Sequence, residues 1–310
     1  MSRTHTYSIV AIDRKSGRMG IGVQSHSFSV GSIVPWAEQG VGVIATQADV
    51  ESSHGRRGLS YLKVGDTPRV ALSRLLTNDV KREARQIAIL DTSGDVAVHT
   101  GKDCIAWAGS VAGSGFGVQA NLADNPGVLP AMAATFNSTN GDLADRLLQT
   151  LQAGEKAGGD ARGRQSAALR VVSTSAEKVG NGWGLVDLRV EDNPSPLEEL
   201  KRLLRIHIAY WHMDEADRLE AENDFLGAAR QYRLAVKTAP EKEELKFWSG
   251  VFLVRHGRPE RGAKLLNEAL RVNESFDQVL HNLRHPHLSA EQRGQADRVV
   301  SGNENGTASS

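Results

Sequence analysis

The segment from Thr6 to Ala48 constrains the fold more than any other stretch of the chain. It reads TYSIVAID, a Lys15-Ser16-Gly17 turn, MGIGVQSHSF and then VGSIVPWAEQGVGVIATQA. Apolar and β-branched runs on either side of a Gly-containing turn predict a β-hairpin. Glycines and small residues crowd the strands that follow and leave room for a second layer to approach. We expect strands over residues 7–12, 19–25 and 41–47.

The rest of the first 192 residues alternates between strands and helices. Helices are expected over 58–64 and 68–77, the second capped by Asp66-Thr67 with Pro68 in its first turn. Residues 85–90 and 95–100 flank Asp91-Thr92-Ser93-Gly94 as a second hairpin, and 104–111 and 115–121 read as short strands. Helices follow over 126–137 and 142–153, the latter with Leu143, Leu147, Leu148 and Leu151 at helical spacing. Residues 166–173 and 186–190 read as the last strands. This order fits two sheets between helix layers better than a doubly wound parallel sheet.

Two prolines in Asp192-Asn193-Pro194-Ser195-Pro196 break regular pairing and set a connector. From 197 to 287 the pattern is helical and repeats. Ala228, Tyr232, Ala235 and Pro240 recur 34 residues later as Gly262, Leu266, Ala269 and Glu274. That period and its small–large alternation point to a tetratricopeptide-like unit, with Gly250 and Leu253 matching its first helix and Ala216 standing where the first unit's Gly belongs. Two units are few for a free solenoid, so we expect the segment to cover its apolar faces on the first domain or as a homodimer, or to engage a peptide or protein partner. Residues 288–310 form a polar tail that cannot bury a core.

Charge and composition exclude several function classes. The chain has 37 basic and 37 acidic side chains among 310 residues, which gives no electrostatic case for nucleic acid. Cys104 is the single cysteine and has no disulfide partner within the chain. No stretch approaches the roughly 18 apolar residues of a membrane helix, and no charged start precedes an apolar run. We expect a soluble, cytoplasmic protein.

The blocks TYSIVA, VGSIVPWAEQGVGVIATQA, GRRGL, WAG, GFGVQANL and GGDARGRQSAAL occur in the order seen in the family known as domain of unknown function 1028, which residues 6–192 therefore resemble. That family is grouped by fold with the N-terminal-nucleophile hydrolases. The resemblance implies a four-layer αββα sandwich over 1–192, an α+β fold, followed by the small all-α repeat domain. It implies amide-cleaving ancestry more weakly, since fold does not fix function.

The chemistry to expect starts at Thr6. An N-terminal Thr can use its own amine, with a pKa of about 7.7–8.0, as general base for its hydroxyl. Met1–His5 precede it here, so cleavage before Thr6 is required; otherwise Thr6 is a strand residue favoured by its β-branch. Ser25 ends the second strand, where it can hydrogen-bond the reacting group, and the adjacent His26 points to the other face. Gln47 is a candidate oxyanion donor or a polar strand end. Gln119 and Asn121 share one face of a strand and suit amide substrates. Asp160, Arg162 and Arg164 form either a carboxylate clamp or a structural ion-pair loop, and Arg57 is either an anion contact or a helix anchor.

Hydrolysis of an amide-type bond in a small, carboxylate-bearing molecule is the expected function, with no cofactor and no metal. A small-ligand-binding module on the same fold is the alternative. His281, His285 and His287 lack the Cys or acidic partners of a metal site. The glycines at 109, 113, 115 and 117 lack the Lys-Ser/Thr ending of a phosphate loop.

Overall fold

A computed structural model describes residues 3–4, 6–177 and 185–284. Among them the chain is a mixed α+β protein with two antiparallel sheets and a helical C-terminal region. It divides into two compact units, Met1–His207 and Ile208–Ser310.

The opening hairpin is β2 (Thr6–Asp13) and β3 (Arg18–Ser25), paired from Thr6 opposite Ser25 to Asp13 opposite Arg18. Gly17 closes its turn at φ 64, where a side chain is strained. The Asp13 carboxylate accepts from the Lys15 N–H and the Ser16 hydroxyl across the same turn. Around this hairpin a six-stranded sheet forms in the order β11 (Val186–Val190), β10 (Ser166–Ser173), β3, β2, β9 (Phe116–Ala120), β8 (Gly109–Gly113). The five-stranded sheet contains β5 (Gly42–Asp49), β6 (Arg85–Asp91) and β7 (Val96–Thr100), with β4 (Pro35–Glu38) and the two-residue β1 (Arg3–Thr4) both pairing with β5.

Strand alternation decides what lies between the sheets. Val10, Ile12, Ile21 and Val23 of the six-stranded sheet pack against Val43, Ala45, Ala88 and Leu90 of the five-stranded one. On the outer face of the five-stranded sheet, Ile44, Ile87 and Ile89 meet Leu59 and Leu62 of α1 (Ser53–Lys63) and Leu72 and Leu75 of α2 (Pro68–Thr77). On the outer face of the six-stranded sheet lies α4 (Leu143–Lys156), with α3 (Val128–Ser138) beside it. A Cβ at Gly22 would stand 3.0 Å from Leu151, so glycine there permits the close approach of α4. Phe116 and Phe136 complete this contact with ring centroids 5.0 Å apart.

Three local readings change. The helix expected from residue 58 begins at Ser53. The strand expected over 104–111 begins only at Gly109. The residues before it instead bond irregular backbone, with Leu122 N donating to Ile105 O at 2.8 Å and Ala123 N to Trp107 O at 3.0 Å. β4, opened by a proline, was not expected at all.

Helix α5 (Pro196–Ala221) holds the point of division between the units. In the second unit α6 (Phe225–Thr238), α7 (Glu243–Arg255), α8 (Pro259–Leu270) and α9 (Phe276–Arg284) follow. Ala216, Ala228, Tyr232 and Phe252 make one core cluster; Phe247, Val251, Leu266 and Ala269 make the next. A Cβ on Gly262 would lie 2.7 Å from the Gly250 carbonyl, so these two glycines let α7 and α8 touch backbone to backbone. His285, His287 and the tail from 288 lie outside the described residues. No described helix is long and apolar enough to cross a membrane.

Candidate functional site

The layer between the sheets changes character along the strands. Beyond Val10 and Val23 the inward stripe turns polar. Thr6, Ser8, Ser25, Gln47, Gln86, Gln119 and Asn121 are each at most 1% exposed. Burying so many hydroxyl and amide groups is costly unless they pair with one another, and they do.

Thr6 sits at the head of β2, and its Oγ1 donates to Ser25 Oγ at 3.1 Å. Its backbone is in the ladder: Thr6 N donates to Asn121 O at 3.3 Å, and Asn121 N to Thr6 O at 3.1 Å. The Thr6 carbonyl also accepts from Gln47 Nε2 at 2.9 Å and Asn121 Nδ2 at 3.5 Å. Both amides then converge on Gln86 Oε1, at 2.7 Å from Gln47 and 2.9 Å from Asn121. Gln86 is in turn held by its own Nε2, which donates to Thr100 Oγ1 and to the Gly109 and Ala120 carbonyls.

Gln119 stands one inward position before Asn121, within β9, while Asn121 follows its end. Its Nε2 donates to Ser8 Oγ and Ala45 O, and Ser8 donates to Gln47 Oε1 at 2.7 Å. Gln119 thus acts on Thr6 through Ser8 and Gln47 rather than directly. Its Oε1 is buried without a hydrogen-bond partner, as is Thr46 Oγ1. An orphaned acceptor inside a network that is otherwise paired is a place where a guest N–H or water gains a bond.

Of the predicted anion contacts, only Asp160 and Arg162 lie at the rim. Asp160 accepts from His26 N at 3.0 Å and Arg162 N at 3.0 Å, and its carboxylate is paired with the Arg162 guanidinium at 2.8 Å. Gln165 N donates to Ser25 O, so this loop is fastened to the end of β3 beside Ser25. Arg164 lies 3.5 Å from Glu155 and lines a separate cavity of about 260 Å³ with Gln152, Lys156 and Ser195. Glu155 also accepts from the Tyr7 hydroxyl at 2.9 Å. Burial first, and then the Glu155 carboxylate, raise the Tyr7 pKa well above its ordinary value. Arg57 is exposed on α1 and donates to Tyr61 Oη at 3.2 Å, outside the polar cluster.

The structure therefore brings Thr6, Ser25, Gln47, Gln119 and Asn121 into one network, sets Asp160 and Arg162 at its edge, and leaves Arg57 elsewhere. Ser8 and Gln86 are the members that sequence reasoning missed. Each is an uncharged polar residue on an inward stripe that is otherwise apolar, Thr6-Ser8-Val10-Ile12 and Gln86-Ala88-Leu90, and that mismatch was the available signal. Burial pushes the Cys104 thiol up to about 11, away from the reactive thiolate, and it donates to the Arg85 carbonyl. Among the described residues no group of three or more His, Cys, Asp and Glu is placed to hold a metal ion.

A search of curated proteins gives no match to the chain. Among solved structures, the crystal structure of protein SPO2555 from Silicibacter pomeroyi, a DUF1028 protein, is similar at 30% identity and a TM-score of 0.59, covering 65% of this chain and 85% of that one. The model of the family of unknown function DUF1028 matches residues 6–200. That match takes in both sheets except β1, every residue of the buried polar network and more than half of the chain, so the chain belongs to the DUF1028 family.

Proposed function

We propose that the polar end of the inter-sheet layer is the active site of an N-terminal-nucleophile-type hydrolase, built on the αββα sandwich of that class and acting on an amide bond. The observation that carries this reading is the Thr6 hydroxyl, held against Ser25 at the head of the opening strand amid three side-chain amides. Loss of residues 1–5 would convert Thr6 N from a peptide nitrogen into an amine, still in reach of the Asn121 carbonyl at 3.3 Å. It would also remove Arg3–Thr4, which pair with Asp49 and Ala48 directly after Gln47. That edge of the network would then open to a substrate.

In the reaction the amine takes the Thr6 hydroxyl proton as Oγ1 attacks the amide carbon. To hold the oxyanion, the side-chain N–H groups of Gln47 and Asn121 turn to it from the Thr6 carbonyl, to which they donate in this state. Protonation of the departing nitrogen breaks the C–N bond and leaves an ester on Thr6. Water, deprotonated by the same amine, releases the acid and restores the hydroxyl. Arg162, at the edge of the network beside Asp160, is the cation that would hold a carboxylate-bearing substrate.

Two measurements test this. Intact mass should show a chain that begins at Thr6. A β-lactone probe, which acylates N-terminal threonine, should add one mass equivalent to wild type and none to Thr6→Ala. A purified chain that keeps Met1–His5 and resists the probe would return the cluster to a structural or ligand-binding role.

A further inference from the structure

The second unit carries a feature independent of Thr6. Helices α6, α7 and α8 enclose a groove of about 690 Å³. Its floor is apolar: the Tyr232 and Phe252 rings meet at a tilt with centroids 4.8 Å apart, and Val236 and Leu253 flank them. Its rim is cationic. Arg233 and Lys237 stand on α6, Arg261 and Lys264 on α8, and all four are exposed. The one carboxylate in the lining, Glu268, is held by Lys246 at 3.1 Å. Elsewhere in this unit arginines pair readily, as Arg218 does with Glu215 and Glu222. The groove therefore concentrates positive charge over an apolar floor, in a chain whose total charge is zero.

We infer that this groove binds an acidic peptide segment bearing apolar side chains. The apolar side chains fill the space above Tyr232 and Phe252, where burial supplies affinity. The carboxylates meet the four cations on opposite walls, which fixes register and speeds encounter. The groove's size suits a short segment with a few side chains rather than a whole domain face. The chain's own residues 285–310 fit poorly, because they mix arginines and histidines with their few acids.

The test uses the full chain and a fluorescein-labelled octapeptide of alternating Glu and Leu, read by anisotropy. Saturable binding should weaken at least tenfold when Glu is replaced by Gln in the peptide, and again when Leu is replaced by Ser. Arg233→Glu with Lys264→Glu should weaken the acidic peptide at least tenfold while strengthening its Lys-for-Glu counterpart. Both positions are exposed, and an unchanged melting temperature will show that the fold is intact. No binding, indifference to the charge reversal, or tighter binding of a peptide copying residues 285–310 or of a single-stranded oligonucleotide would each overturn the inference.

Discussion

At the residue scale the polar network shows how a single amide can organise a buried site. Gln86 accepts from Gln47 and Asn121 on one side and donates to three oxygens on the other. It touches neither the Thr6 hydroxyl nor its nitrogen in these contacts, yet it aims the two amides that reach the Thr6 carbonyl. Replacing it with the near-isosteric Leu strands two donors and three acceptors in a dry layer. Each buried group left unpaired costs about 1–3 kcal/mol, so Gln86→Leu should lower unfolding free energy by several kcal/mol in urea titrations. Ser25→Ala should be milder, at about 1 kcal/mol, the net worth of the hydrogen bond it accepts from the Thr6 hydroxyl. If the two variants unfold alike, Gln86 is not the hub the contacts make it. The site's members were legible where alternation was read within a strand, as with Gln119 and Asn121 on one face of GFGVQANL. Ser8 and Gln86 escaped because each sits within a run whose apolar majority marks it only as a strand.

At the element scale, one ion-pair cluster ties three elements that have little sequence in common. Asp79, just past α2, is 2.7 Å from Arg85 Nε at the start of β6 and 3.4 Å from His54 Nε2 on α1. Arg85 reaches on to the Asp49 carboxylate at the end of β5. Burial alone would raise the Asp79 pKa, but hydrogen bonds from Arg85 and the Lys81 N–H outweigh it and hold the carboxyl below its ordinary value. Burial lowers the pKa of His54 despite the attraction of Asp79, so the ring is neutral at pH 7. A carboxyl depressed in the folded state contributes stability above its unfolded pKa of about 3.9 and loses it as pH falls through the folded value. Asp79→Asn should therefore cost about 3 kcal/mol at neutral pH, since Arg85 stays buried with one partner fewer. The gap to wild type should close below about pH 4; a gap that persists there would place the loss in packing. Helices and strands with clean periodicity, such as Pro68–Thr77, were readable to the residue. The start of α1 was not, because Gly55 and Gly58 disfavour helix locally. Tertiary packing requires them: a Cβ at either position would run into Trp36 or Ile44. β4 was hidden for a similar reason, since its opening proline is allowed only where no ladder donor is needed.

At the scale of the whole molecule, each unit has its own core. The inter-sheet and sheet–helix clusters of the first are made entirely of residues before His207, and the two helical clusters of the second entirely of residues after it. The proposed chemistry at Thr6 and the inferred peptide capture at the cationic groove should then be separable by mutation. Gly262→Leu discriminates, because its Cβ would press on the Gly250 carbonyl and on Val254. Overpacking of that kind costs about 1–3 kcal/mol, and in a unit of roughly a hundred residues each kcal/mol lowers the melting temperature by about 4–8 °C. Calorimetry of the variant should show a transition displaced to lower temperature and a second unmoved. Below the displaced transition, labelling of Thr6 by the β-lactone should match wild type. A parallel loss of labelling would mean that the helical unit is needed to form the site at the end of the sheets, and the two units would have to be treated as one machine.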